Sequence, residues 1–144
     1  MIVIFVILCL LLSCKKNAAT SNNCTKTVAN IAGTYSPVKN EISMMNAPFV
    51  DITNQWQDCE RDDKVILNAN GNYTYQDLGI SCAPSGNGSG TWGISADGKF
   101  TINDTGSVVD ISNADITSFD CSTLVITGDI ATGTGTRFRI TLKK

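Results

Sequence analysis

Cys59 and Cys82 stand eleven positions before and after an Asn70-Gly71 dipeptide. Short apolar runs, Val65–Leu67 and Tyr73–Tyr75, flank that dipeptide on either side. Asn-Gly is the strongest short-range hairpin signal, because a tight turn that matches strand twist needs positive φ at its centre. If the two runs pair symmetrically, the two thiols face each other across the open end of the hairpin. A disulfide there persists in an oxidising compartment and not in the cytosol. This one stretch therefore implies both antiparallel β structure and export.

The rest of the chain repeats the pattern. Turn clusters recur at Ala83–Gly90, Asp97-Gly98, Asp104–Gly106, Asp120–Ser122 and Ala131–Gly135. Turns every 8–12 residues are the signature of an all-β barrel or sandwich, and the 144 residues suffice for one domain. Period-two alternation puts Ile31, Gly33 and Tyr35 on one face of a first strand, Val28–Val38, which Pro37 ends or bulges. Val65 and Leu67 share a face, as do Tyr73 and Tyr75, Trp92 and Ile94, Phe100 and Ile102, and Leu124 and Ile126. Val108–Ile111 and Asp115–Phe119 read as two weaker strands around Asn113. In the last strand Phe138, Ile140 and Leu142 point inward, with Arg137, Arg139 and Thr141 outward. Lys39–Gln57 lacks alternation. It reads as a long connection packed over one end of the fold, with a helical turn near Ile42–Asn46 that Pro48 breaks. A disulfide at Cys59 would pin the base of this connection, so its loss is expected to loosen Lys39–Gln57.

Composition removes whole classes of chemistry. There is no histidine, so Ser-His-Asp and Cys-His catalysis and histidine metal ligation are excluded. The chain also lacks a Gly-x-Ser-x-Gly elbow and a phosphate loop. We expect no enzyme activity and no cofactor. With 11 basic against 13 acidic residues there is no basic stripe for nucleic acid. Asp58, Glu60, Asp62 and Asp63 lack the spacing of a calcium loop and read as a solvated strand entry. The cysteines form no C-x-x-C pair, so no metal site is expected.

Residues 1–13, MIVIFVILCLLLS, form an unbroken apolar run. It is shorter than the roughly 20 residues of a membrane span and fits a signal-peptide core. Its end, Leu11-Leu12-Ser13-Cys14, resembles the lipobox of bacterial lipoproteins. That resemblance implies cleavage before Cys14, lipidation of Cys14 and a membrane anchor. Residues 14–27 then read as the lipidated terminus and a flexible spacer, and residues 28–144 as the folded domain. The expected place is the cell envelope, anchored to the outer membrane on its periplasmic side. With Cys9 removed and Cys14 acylated, four cysteines remain: Cys24, Cys59, Cys82 and Cys121. They allow three connectivities. Hairpin symmetry favours Cys59–Cys82, which leaves Cys24–Cys121.

A series of features along residues 28–144 resembles the lipocalin-like domain of Gram-negative lipoproteins. Gly33-Thr34-Tyr35 stands where that family's Gly-x-Trp signature opens the first strand. Cys59 and Asp62-Asp63 precede a strand and the Asn-Gly turn, and Cys82 precedes Gly90-Thr91-Trp92. Asp97-Gly98-Lys99, Ser122-Thr123-Leu124-Val125 and a terminal Thr141-Leu142-Lys143-Lys144 follow in order. The resemblance implies an antiparallel up-and-down β-barrel of about eight to nine strands. It also implies a floor closed by Tyr35 beneath an arginine of the last strand, Arg137 or Arg139. A barrel of this size holds either packed side chains or one small ligand. If it is a cup, the residues expected at its wall and mouth are Tyr35, Met44, Phe49, Trp56, Tyr73, Trp92 and Phe100. The function expected is then a monomeric, membrane-anchored binder of a small hydrophobic ligand. The alternative is a non-catalytic envelope protein with a packed core that docks a partner.

Overall fold

The computed structural model describes residues 24–83, 86–106, 109–131 and 133–144. The apolar run 1–13 and the lipidation candidate Cys14 lie outside them. Eight strands close an antiparallel barrel in chain order, and a ninth short strand pairs beside the first. β1 (Gly33–Ser43) is followed by the short β2 (Val50–Asp51), then β3 (Lys64–Leu67) and β4 (Asn72–Gln76). β5 (Gly88–Ile94), β6 (Lys99–Asp104), β7 (Ile111–Phe119), β8 (Thr123–Ala131) and β9 (Thr136–Lys143) complete the circuit. Closure comes from β9 pairing with β1 between Ser36↔Lys143 and Ser43↔Arg137. Closing the sheet leaves no long edge open to another chain.

The first expected strand begins later than alternation suggests. Val28–Ile31 forms one helical turn, α1, because the Thr27 side chain accepts from the Asn30 N–H at its start. β1 then runs past Pro37 to Ser43, so no helical turn forms near Ile42–Asn46. The chain passes Pro37 through a bulge between Pro37 and Lys39, as a residue without an N–H requires. That bulge reverses the parity of everything downstream in β1. Residues 24–27, expected as the end of the spacer, are docked on the barrel. Cys24 is bonded to Cys121, and the Lys26 ammonium donates to the Ile116 carbonyl.

Cys59–Cys82 pairs as hairpin symmetry suggests and Cys24–Cys121 is the remaining pair, with Cα–Cα distances of 5.2 Å and 5.4 Å. The hairpin turn itself is one residue longer than a two-residue Asn-Gly turn. The Gly71 N–H donates to Asn68 and the Asn68 N–H to Asn72, with Gly71 at φ 86°. The turn at Ala96-Asp97-Gly98 has the same bonds between Ser95 and Lys99, with Gly98 at φ 81°. In each, a turn is followed by a left-handed glycine, so the glycine alone takes positive φ.

β7 explains why two weak strands were expected where one exists. Its buried residues are Ile111, Ala114, Ile116 and Phe119, which breaks period two twice. Register shifts opposite Phe100/Ile102 and between Ile116 and Ser118 mark two bulges, the first at Asn113 with φ 52°.

One end of the barrel is a packed floor. Tyr35, Tyr73, Phe100, Phe119, Ile31, Leu67 and Leu124 are each no more than 2% exposed there. Trp92 tilts against Phe100 at 5.9 Å between ring centroids, and its indole N–H donates to the Asn68 carbonyl at 2.8 Å. α1 caps this floor from below, held by the Tyr35 hydroxyl on the Ile31 carbonyl. Among the described residues, no helix is long and apolar enough to cross a membrane.

Candidate functional site

Above the floor the barrel interior contains a cavity. The cavity measures about 340 Å³. Five of its wall residues stand two positions nearer the mouth than a floor residue of the same strand. Pro37 follows Tyr35, Val65 precedes Leu67, Tyr75 follows Tyr73, Ile102 follows Phe100, and Ile126 follows Leu124. On β1, β3 and β6 the floor residue is larger than its partner in the wall, so the interior widens away from the floor. Ile111, Ile140 and Leu142 complete the apolar wall. Asn40, Trp56, Glu60 and Val109 also line it. Of these, Trp56 and Glu60 come from the connection before β3, and Val109 from the connection after β6.

The mouth is organised by carboxylates. Asp63, 2% exposed, accepts from the Tyr75 hydroxyl at 2.6 Å and from the Leu78 N–H at 3.2 Å. Asp62 accepts from the Ile80 N–H, and Asp77 from the Gly86 N–H. These bonds shape the β4–β5 connection, where they satisfy backbone donors that the sheet leaves unpaired. A solvated strand entry was expected for Asp63, and its burial overturns that reading. Among the described residues no group of acidic or cysteine side chains could hold a metal ion. Gln57 and Glu60 cap a short 3-10 turn at Asp58–Glu60, and Cys59 within it ties the turn to Cys82. Trp56 and Glu60 are thereby fixed over the cup. Burial, then the bond to and charge of Asp63, then the charge of Glu60, push the Tyr75 phenol above its ordinary range.

Of the seven residues expected to line a cup, the structure places Trp56 in its wall. Tyr35, Tyr73, Trp92 and Phe100 are floor, each 4% exposed or less. Met44 is exposed, at the start of a turn in which Met45 and Asn46 take positive φ. Phe49 lies outside the barrel, 4.2 Å beneath the Arg139 guanidinium. The pairing of Tyr35 with Arg137 or Arg139 is likewise corrected. Register sets Arg139 beside Glu41 and Arg137 beside Asp129, well up the barrel from Tyr35. The cation over the Tyr35 ring is Lys144, whose ammonium sits 5.3 Å from the centroid. Ile140 was legible as inward, and Ile102 and Ile126 as sharing a face with Phe100 and Leu124, but none of them as wall, because alternation gives the face and not the height in the barrel.

Arg139 instead makes a bidentate pair with Glu41, at 2.7 and 2.6 Å, with Lys39 at 3.0 Å. The bond from Arg139 holds the Glu41 carboxyl at about 2, below its ordinary 4.5, against the opposing effect of burial. The folded-state value is depressed, so this stabilisation is full above about pH 4.5 and disappears as pH falls toward 2. Solvent reaching Arg139 reduces it to on the order of 2 kcal/mol. Glu41→Gln is therefore expected to flatten the loss of stability between those two pH values, measured by urea denaturation across the range.

A family model described as a lipocalin-like domain matches residues 31–126. No curated protein and no solved structure matches the chain.

Proposed function

The chain belongs to the lipocalin-like domain family, and on that premise we propose that it binds a small, largely apolar molecule in the cup above its floor. The observation that carries this reading is the cavity of about 340 Å³ walled by Val65, Ile102, Ile111, Ile126, Ile140 and Leu142. Ligand pockets span roughly 300–1,000 Å³, so this one suits a ligand at the small end. The protein is then a binder and not a catalyst. We place it at the cell envelope as a monomer, anchored to the outer membrane through lipid on Cys14 and facing the periplasm. Mass spectrometry of the mature N-terminus tests the anchor: an acylated Cys14 is expected, and an unmodified or uncleaved terminus contradicts it.

The binding test is a titration with a polarity-sensitive fluorophore. One saturable site is expected. Ile126→Trp fills the cup from its wall and is expected to weaken binding by about tenfold or more, while the protein still unfolds cooperatively. Unchanged affinity in that variant moves the site elsewhere. A second reading, a surface that docks an envelope protein, is favoured by the exposed side chains of Met44, Met45, Val50 and Ile130 around the mouth end.

A further inference from the structure

The cup carries a charge sign that its apolar wall does not suggest. Among the described residues that line it, Glu60 bears a charge and none is lysine or arginine. Two more carboxylates stand around the Tyr75 wall. Asp63 is 2% exposed and accepts from the neutral Tyr75 hydroxyl and Leu78 N–H. Asp77 is 8% exposed, and its second oxygen has no hydrogen-bond partner among the described residues. The ion pairs among the described residues include none of Glu60, Asp63 and Asp77. Of the nearby cations, neither lines the cup, although the Arg61 guanidinium donates to the Trp56 carbonyl at 3.3 Å. Arg61 faces Asp58 at 3.5 Å, and the Lys64 ammonium donates to Ser36 on the outer face. Beside Glu60 in the wall are the half-buried indole of Trp56 and the side chain of Asn40.

We infer that the cup selects amphiphiles whose polar end is a cation, a primary or quaternary ammonium, and turns carboxylates away. The inference rests on the ligand-cup reading above. The apolar body lies among Ile102, Ile111, Ile126 and Ile140, and the ammonium sits at the mouth against the Trp56 face and the Glu60 carboxylate. An aromatic face attracts a partly desolvated cation, and unpaired carboxylates in a poorly solvated site strengthen that attraction. The same field repels an incoming carboxylate and would force it to give up its charge.

The test compares three eight-carbon ligands, octylammonium, octan-1-ol and octanoate, in displacement of a neutral fluorophore at neutral pH and low salt. Octylammonium is expected to bind about tenfold more tightly than octan-1-ol, and octanoate about tenfold more weakly. Glu60→Gln keeps an acceptor for the Gln57 N–H and removes the charge. Trp56→Leu keeps the apolar wall and removes the aromatic face. Each is expected to shrink the ratio of octylammonium to octan-1-ol affinity several-fold, read within the same variant so that any common change in cup affinity cancels. Equal affinities for the three, tighter binding of octanoate, or an ammonium advantage untouched by both variants overturns the inference while leaving the cup intact. Binding of none of the three overturns the cup reading and this inference with it.

Discussion

Phe100→Ala is expected to destabilise the barrel by about 3–5 kcal/mol, and Ile140→Ala by about 2 kcal/mol or less. The difference follows from where each side chain sits. Phe100 is wholly buried in the floor, against Trp92. Its removal leaves a void that Tyr35, Tyr73 and Phe119 cannot refill without leaving their own sites, so the transfer term and the cavity term add. Ile140 is only partly buried and already borders the cup. Truncating it enlarges an existing cavity and breaks fewer contacts. Urea denaturation with an unchanged slope measures both. Equal costs at the two positions would mean that the interior is uniformly packed, and that the division into floor and cup is wrong.

Loss of the disulfides is expected to have effects that differ in size and in place. Cys24→Ser with Cys121→Ser releases a closure spanning 97 residues, worth about 4–5 kcal/mol in the chain-entropy description. That approaches the whole stability of many small domains, so this variant is expected to be marginally folded. Cys59→Ser with Cys82→Ser releases a closure of 23 residues, worth about 3 kcal/mol. Its effect in hydrogen exchange is expected to centre on residues 56–62 and 78–83. The whole connection Lys39–Gln57 was expected to loosen, but the structure narrows that expectation. The Ile52 N–H donates to Asn40, the Asn40 N–H donates to Thr53, and β2 pairs with β1. Those bonds hold residues 50–53 without the clip. Equal protection at residues 56–62 with and without the clip would contradict its role in fixing the mouth.

Much of this was legible in the chain because it depended on local chemistry. Cysteine symmetry about Asn70-Gly71 gave Cys59–Cys82 and left Cys24–Cys121 as the other pair, and glycine-bearing turns gave the meander and its antiparallel sense. What failed depended on parity and height. The Pro37 bulge and the two bulges of β7 shift alternation by one residue each, which alternation alone cannot foresee. The large aromatics were expected to line a cup because they are inward-facing and apolar. They form the floor instead, and on β1 and β6 the smaller residue two positions along, Pro37 after Tyr35 and Ile102 after Phe100, leaves the space. Tyr35 found its cation in Lys144, one residue beyond the last strand, where strand register and not composition decided the partner. Asp63 looked solvated beside three other acidic residues, and only the returning β4–β5 connection supplies the Leu78 N–H that buries it.

Methyl resonances of isoleucine and methionine report on the cup and the outer surface in one titration. On addition of octan-1-ol, Ile102, Ile111, Ile126 and Ile140 are expected to shift together along one saturable one-to-one curve, with Met44 and Met45 unmoved. Shifts confined to Met44 and Met45, or no shift at the four isoleucines at saturating ligand, would contradict a barrel that binds its ligand inside.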